Sequence, residues 1–280
     1  MYLCYINNEF VNPELNPEKA MLPISDLIIQ RGVGVFEVIA THKSKALMLT
    51  PHLERFINSA ASSGIENIPD IDFMKNIIRE GIAKVDKPLR IKAYITGGDH
   101  FDEATGKFTK PRFFVIFEAP DFISQSEREN GVTLEPVPFG RDDPNVKSVD
   151  YRKTYQLPAG AFEHLYCPEG EITEAGHSTF FLVLKNNTIV TAPLDRVLKG
   201  TTRLAILELA KSEGLKVEER CPLWSELVDD NAAEAFITGS VKRVVPVVKI
   251  GGIVMGDGKP GKITKRLAKL YDDYIERWLE

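Results

Sequence analysis

Strand-like and helix-like segments alternate along this whole 280-residue chain, and one polar stretch divides them into two halves. Apolar runs typical of strands occur on both sides, for example VGVFEVIA at 33–40 and FFLVL at 180–184. The polar segment 120–130, PDFISQSEREN, lacks clear periodicity and is the predicted linker. Because the chain is too long for one small core, the pattern predicts an α+β or α/β protein of two domains.

Composition excludes several classes of protein. The formal net charge of -5 provides no general basic surface for nucleic acid. Cys4, Cys167 and Cys221 are far apart and include no CxxC pair, so we expect reduced thiols and no metal site. The N-terminus lacks the basic and apolar regions of a signal peptide, and no apolar run approaches membrane-spanning length. The expectation is a cytoplasmic protein without a nucleic-acid or membrane partner.

Three helix predictions bear on the site. Thr50-Pro51 resembles a capped helix start, and that helix would end at Gly64. A helical stretch is predicted around Leu157–Tyr166. A third helix would follow the turn Gly200-Thr201-Thr202-Arg203 and stop at Gly214.

Two ionisable residues are candidates for chemistry. Lys147 lies in the polar stretch PNVKSVDYRKTYQLP, and Glu174 lies in a turn-like segment before an apolar strand. A lysine that forms a Schiff base must lose its proton near neutral pH, and a carboxylate can pair with a ring nitrogen. Taken singly, each residue is equally well explained as a solvated surface group.

Two turns rich in small and hydroxyl residues are candidates for an anion site. The turn at Thr201 opens a helix, where N–H groups and the positive dipole end attract anions. A second stretch, Thr238-Gly239-Ser240-Val241, follows the strand-like EAFI, and Arg55 would add a charged fork. The alternatives are an ordinary capped helix and a surface arginine.

Six segments, taken in order, resemble the fold-type IV (class IV) aminotransferases, which depend on pyridoxal 5'-phosphate (PLP). They are RGVGVFE at 31–37, HLERFINSA at 52–60, VKSVDY at 146–151, ITEAGHSTFF at 172–181, LKGTTRLAILELA at 198–210 and AFITGSVKRVVPV at 235–247. The family includes branched-chain aminotransferases, D-amino-acid transaminases and aminodeoxychorismate lyases. The resemblance implies a smaller N-terminal α/β domain at 1–119, a linker at 120–130, and a larger, β-barrel-like, cofactor-binding domain with helices at 131–280.

The resemblance also implies residue roles. Lys147 would form the Schiff base with the cofactor and carry protons at Cα, and Glu174 would pair with the protonated pyridine nitrogen. Tyr151 would hydrogen-bond the ring hydroxyl, and Phe36 would line the substrate pocket. The phosphate would be bound by Arg55, Thr201, Thr202, Gly239 and Ser240.

Several departures from the family pattern concern the lysine and the substrate. Lys153 is a rival to Lys147, but only Lys147 is followed by the Asp150-Tyr151 pair that matches the family. The region TGGDHFDEATGKF lacks the Arg-x-His arrangement of D-amino-acid transaminases, and Lys92 is placed where branched-chain enzymes have a substrate-binding arginine. These departures leave PLP binding intact and the substrate open.

The leading function is therefore transfer of an amino group between a small amino acid, branched-chain or otherwise apolar, and a 2-oxo acid such as 2-oxoglutarate. The alternatives are a pyruvate-eliminating lyase of the aminodeoxychorismate type, a D-amino-acid transaminase, and a non-catalytic PLP-binding protein. The family is usually dimeric, with its active site in the cleft between domains, so the resemblance also implies a homodimer.

Overall fold

The computed structural model describes residues 1–154 and 156–280, which form two compact units. Unit 1 comprises Met1–Asp121, Val146–Asp150 and Glu276–Glu280, and unit 2 comprises Phe122–Asn145 and Tyr151–Ile275. Two short segments of the predicted C-terminal domain thus belong to unit 1. They do so because their backbones hydrogen-bond there, as when Phe36 donates to the Lys147 carbonyl and Ala46 to that of Glu280.

Unit 1 is built on a six-stranded antiparallel sheet with the order β2-β1-β8-β5-β3-β4. Its strands are β1 (Leu3–Ile6), β2 (Glu9–Val11), β3 (Gly34–His42), β4 (Lys45–Ala46), β5 (Arg90–Thr96) and β8 (Arg112–Glu118). A separate small hairpin is formed by β6 (Phe101–Asp102) and β7 (Lys107–Phe108). The predicted N-terminal hairpin, LCYI followed by EFV, is confirmed.

The helices of unit 1 are α1 (Leu27–Arg31), α2 (Leu49–Ser62) and α3 (Ile71–Val85). Apolar faces of α2 and α3 pack with the sheet in one core that includes Phe56, Ile78 and Phe117. Gly81 is required within α3, because a Cβ there would lie 2.0 Å from the Phe117 ring. Close packing of helix on sheet therefore depends on this glycine.

The start of α2 differs from the prediction. The helix begins at Leu49, so Thr50 lies inside the first turn instead of capping it. The side chain of Glu280 caps it instead: Oε1 accepts from the Thr50 N–H at 2.9 Å, and Oε2 accepts from the Thr50 hydroxyl. A carboxylate at this end of a helix is favoured by the helix dipole. A cap that comes from 230 residues away has no local sequence signal.

Unit 2 is built on an eight-stranded mixed sheet with the order β10-β9-β15-β14-β11-β12-β13, and β16 pairs with β15. The strands are β9 (Val132–Val137), β10 (Glu163–Tyr166), β11 (Thr179–Leu184), β12 (Ile189–Thr191), β13 (Val217–Glu219), β14 (Ala232–Gly239), β15 (Arg243–Ile250) and β16 (Ile253–Val254). Its helices are α4 (Gln125–Asn130), α5 (Thr201–Ser212), α6 (Trp224–Val228) and α7 (Lys262–Tyr274). Phe180, Leu182 and Ile237 belong to one core, and their strand neighbours Phe181 and Phe236 stack at 4.7 Å.

The predicted helix around Leu157–Tyr166 is wrong, because its C-terminal part is strand β10, parallel to β9. All four residues of β10 are buried. A strand that is covered on both faces shows no alternation of polar and apolar residues, so EHLY is easily mistaken for part of an amphipathic helix.

The predicted linker 120–130 contains the short helix α4. Ser124 and Glu127 form its capping box: the Glu127 N–H donates to the Ser124 hydroxyl, and the Glu127 carboxylate accepts from the Ser124 N–H. None of the helices in residues 1–154 and 156–280 combines the length and the apolar composition that a membrane span requires.

Replacing the cap of α2 tests its contribution. Glu280→Gln should lower the free energy of unfolding by about 1 kcal/mol, the usual value of a helix N-cap. The matched control is Glu276→Gln, which removes an exposed pair with Lys43 and should cost less. Urea denaturation of both variants measures the difference, and equal losses would show that Glu280 does not act as a cap.

Candidate active site

The segment that carries Lys147 is fastened to the edge of β3. Phe36 donates its N–H to the Lys147 carbonyl at 3.0 Å, and Val149 donates to the Gly34 carbonyl at 3.1 Å. The Lys147 N–H donates to the Ser59 hydroxyl on α2 at 3.2 Å. Strand edge and helix therefore fix the backbone on which the lysine side chain is mounted.

Two predicted site residues meet at this point, since the Lys147 Nζ lies 4.5 Å from the centroid of the Phe36 ring. Phe36 stacks on Tyr94 at 5.7 Å, and Tyr94 stacks on Phe114 at 4.7 Å, so an aromatic row crosses β3, β5 and β8. The rival Lys153 belongs to unit 2, where its Nζ lies 5.0 Å from the Phe139 ring. An apolar face thus adjoins the side chain of Lys147.

Arg55 lies in a buried cluster with Glu37 and His52. The Arg55 Nε and Nη2 each donate to one oxygen of Glu37 at 2.7 Å, and His52 Nδ1 lies 2.7 Å from the Glu37 Oε2. Burial by itself would raise the pKa of Glu37, but Arg55 and His52 lower it to about 2. Burial lowers the pKa of His52, so the ring is neutral and donates to Glu37.

Sequence reasoning found Arg55 but missed its two partners. His52 precedes it by three residues on α2, which places both side chains on the same helix face. Glu37 adjoins Phe36 on β3, and successive strand residues point to opposite faces. This spacing was the available signal for the cluster.

Lys92 is already paired, because its Nζ lies 2.7 Å from the Glu118 carboxylate on β8. Its register partner on β3 is Val38, whereas Tyr94 pairs with Phe36. Lys92 thus lies two residue pairs along the sheet from the ring that contacts Lys147. Its substrate role stays a prediction.

In unit 2, Glu174 is buried and held at both carboxylate oxygens. Oε1 accepts from the Arg141 Nε at 2.7 Å, and Oε2 accepts from the Leu198 N–H at 3.4 Å. The Glu174 carbonyl accepts from the Tyr166 N–H, which ties the segment to the end of β10. A solvated loop acid would have none of these restraints.

Arg141, which sequence reasoning missed, links Glu174 to Tyr151. Its Nη2 donates to the Gly176 carbonyl at 2.7 Å and to the Tyr151 hydroxyl at 3.4 Å, and its guanidinium lies 5.0 Å from the Tyr151 ring centroid. Burial would lower the Arg141 pKa, but Tyr151 and Glu174 raise it above its ordinary value, so the group stays charged. One arginine in the loop PFGRDD carries no pattern that would reveal this role.

The two predicted anion-binding turns meet in unit 2, because the Thr201 hydroxyl lies 3.4 Å from that of Ser240. Gly200 is the N-cap of α5 and has no side chain to accept from the first-turn N–H groups. A Cβ at Gly200 would lie 2.6 Å from the Thr179 hydroxyl. Hydroxyls and helix N–H groups thus converge as a phosphate requires.

Comparison with known proteins identifies the family. Residues 34–250 match the family model described as amino-transferase class IV. D-alanine aminotransferase from Bacillus licheniformis is 30% identical over 259 residues, which cover 87% of this chain and 88% of the relative. The chain belongs to the class IV aminotransferases.

Solved structures share its fold. The branched-chain amino acid aminotransferase of Escherichia coli has a TM-score of 0.86 at 22% identity, covering 99% of this chain and 98% of that one. The branched-chain amino acid aminotransferase from T.th., solved with pyridoxamine 5'-phosphate, also has a TM-score of 0.86, at 23% identity with 99% and 97% coverage. The predicted two-domain α+β fold of type IV is thereby confirmed.

The Glu37 cluster gives a stability prediction with a defined pH dependence. A pKa lowered from 4.5 to about 2 stabilises the folded state by about 3 kcal/mol, at about 1.4 kcal/mol per unit. This contribution is complete well above pH 4.5 and is lost as the pH falls towards 2. Glu37→Gln should therefore be less stable at pH 7 by about 3 kcal/mol, and the gap should narrow below about pH 4.5.

Chemical denaturation at pH 7 and pH 4 measures both values. The control Glu118→Gln removes a partly exposed partner of Arg90 and Lys92 and should cost less. A Glu37→Gln loss that does not change with pH would contradict the assigned ionisation.

Proposed function

We propose that the protein is a PLP-dependent aminotransferase that moves an amino group between an apolar amino acid, of the branched-chain type or smaller, and a 2-oxo acid such as 2-oxoglutarate. The observation that carries the proposal is the buried Glu174, fixed by Arg141 beside Tyr151, in a chain of the class IV family. A carboxylate held in this way suits a partner that is a protonated ring nitrogen.

The residues fit PLP by their chemistry. Lys147 would bind the cofactor covalently, Glu174 would accept from its ring N–H, and Tyr151 would bind its ring hydroxyl. The phosphate suits the first turn of α5 at Thr201 and Thr202, the turn at Gly239 and Ser240, and the charge of Arg55. When bound, PLP supplies an electron sink for negative charge at the substrate Cα.

Each of these side chains then has a task in the transfer. The Lys147 amine, displaced by the substrate, would take the proton from Cα and return one on the opposite half-reaction. Glu174 would keep a proton on the ring nitrogen, since an adjacent negative charge favours the cationic form. Glu37 would hold the Arg55 fork in place through two hydrogen bonds.

The apolar substrate class rests on the aromatic row beside Lys147. Phe36, Tyr94 and Phe114 present stacked rings at this face of the unit 1 sheet. Relatives are named D-alanine aminotransferases and branched-chain aminotransferases, and the amino acids in these names have small or apolar side chains. Screening amino donors by half-transamination tests this, and release of pyruvate from aminodeoxychorismate would indicate the lyase instead.

We also propose a cytoplasmic homodimer. Unit 1 exposes large apolar side chains within residues 15–29, namely Leu15, Met21, Ile24 and Ile29. Exposed apolar groups clustered in one segment are typical of a protein interface. The three free thiols suit a reducing compartment. Sedimentation analysis tests the dimer.

The cofactor anchor is tested with two lysines. Lys147→Ala should lose the visible absorbance of the lysine-bound cofactor and all turnover, because no other amine replaces its Nζ. The matched control Lys153→Ala should keep both. Loss of absorbance in the Lys153 variant alone would transfer the role to that lysine.

Glu174→Gln tests the mechanism, since it keeps size and hydrogen bonding but removes the charge. The variant should still bind PLP, yet its single-turnover conversion to the pyridoxamine form should slow by roughly 100-fold or more, the scale of losing one electrostatic stabiliser. Glu171→Gln is the control, since this nearby acid pairs with the half-exposed Arg196. A Glu174 variant that reacts within a few-fold of the parent would remove Glu174 from the mechanism.

A further inference from the structure

A second buried glutamate in unit 2, Glu163, has no role in the chemistry described above. It is the first residue of β10 and is almost fully buried. Its carboxylate accepts from the His177 N–H and from the Ser178 hydroxyl, each at 2.8 Å, and from the Lys242 ammonium. A buried carboxylate requires such donors to offset its lost hydration.

Lys242 brings one of the anion-binding turns to this carboxylate. It lies two residues after Ser240, in the connection between β14 and β15, and its Nζ also lies 5.0 Å from the Phe162 ring. Because Glu163 neutralises it, this ammonium acts on the turn as a fastening and is not a charge offered to an anion.

The other donors come from the turn that follows Glu174. His177 and Ser178 bind Glu163, while the His177 ring stacks on Tyr151 at 5.1 Å. The two turns also touch, because a Cβ on Gly239 would lie 3.6 Å from the His177 carbonyl oxygen. One carboxylate therefore joins the turn beside Glu174 to the turn that carries Gly239 and Ser240.

We propose that Glu163 and Lys242 are a pair of positioning residues that holds the Gly239–Ser240 turn in register for the cofactor phosphate. The proposal rests on the proposed function, because it presupposes PLP. Without the pair, Ser240 would lose its fixed distance from Thr201, and the phosphate would lose a pre-arranged donor set.

The test compares two ligands that differ only in the phosphate. Dissociation constants of PLP and of pyridoxal are measured for the full-length parent and for Lys242→Met. The PLP constant should rise about tenfold or more, the effect of losing one charge-assisted interaction, whereas the pyridoxal constant should change less than about threefold. Equal losses for both ligands would show a merely structural role and overturn the proposal, as would an unchanged PLP constant.

Further variants keep the test decisive if Lys242→Met folds poorly. Glu163→Gln should show the same selective loss for PLP, and Lys242→Arg, which keeps the cation, should restore most of the affinity. Lys185→Met is the matched control, because this lysine of the same unit pairs with the exposed Asp230 and should leave both constants unchanged. If Glu163→Gln weakens both ligands equally, or Lys242→Arg behaves like Lys242→Met, the proposal is wrong.

The failure of the proposed function would look different. A parent protein that binds neither PLP nor pyridoxal would refute PLP dependence itself. A parent that binds PLP, with a Lys242→Met variant of unchanged preference for PLP over pyridoxal, would refute only the positioning pair.

Discussion

Neutralisation of buried carboxylates is the constraint around which the candidate site is organised. Three buried glutamates each pair with a cation that is distant in sequence: Glu37 with Arg55, Glu163 with Lys242 and Glu174 with Arg141. An unpaired carboxylate in these positions would cost several kcal/mol, on the order of 3–5 when one partner is removed. Each pair therefore obliges two remote segments to meet, which fixes the loops that carry the other site residues.

Strand β3 shows how one short segment serves two tasks. Its successive residues point to opposite faces, so Phe36 joins the aromatic row near Lys147 while Glu37 enters the buried cluster with Arg55. The same strand offers its edge to the Lys147 backbone. A shift of one residue in register would exchange the two faces, so the buried Glu37–Arg55 pair also fixes where Phe36 lies.

Local patterns were sufficient for much of the fold. The hairpin at β1–β2 and the helices α3 and α5 follow from alternation, caps and glycine stops, and Asp70 caps α3 as its sequence indicates. The prediction failed where the deciding contact is distant. The α2 cap comes from Glu280, β10 is covered on both faces, and Arg141 finds Glu174 only in three dimensions. Candidate residues with a family motif were found, whereas their ion-pair partners were not.

Arg141 has a consequence for the proposed chemistry that follows from charge alone. A guanidinium beside Glu174 keeps that carboxylate ionised, which the ring nitrogen requires, but it also competes for the negative charge that would hold a proton on the ring. The two effects oppose each other, so the pair balances an always ionised acceptor against a weaker hold on the ring proton. Because the same guanidinium also contacts the Tyr151 hydroxyl, the donors and acceptors proposed for the ring nitrogen and the ring hydroxyl are set by one side chain. The electronic properties of the two positions are therefore coupled through Arg141, and a change at either one is felt at the other.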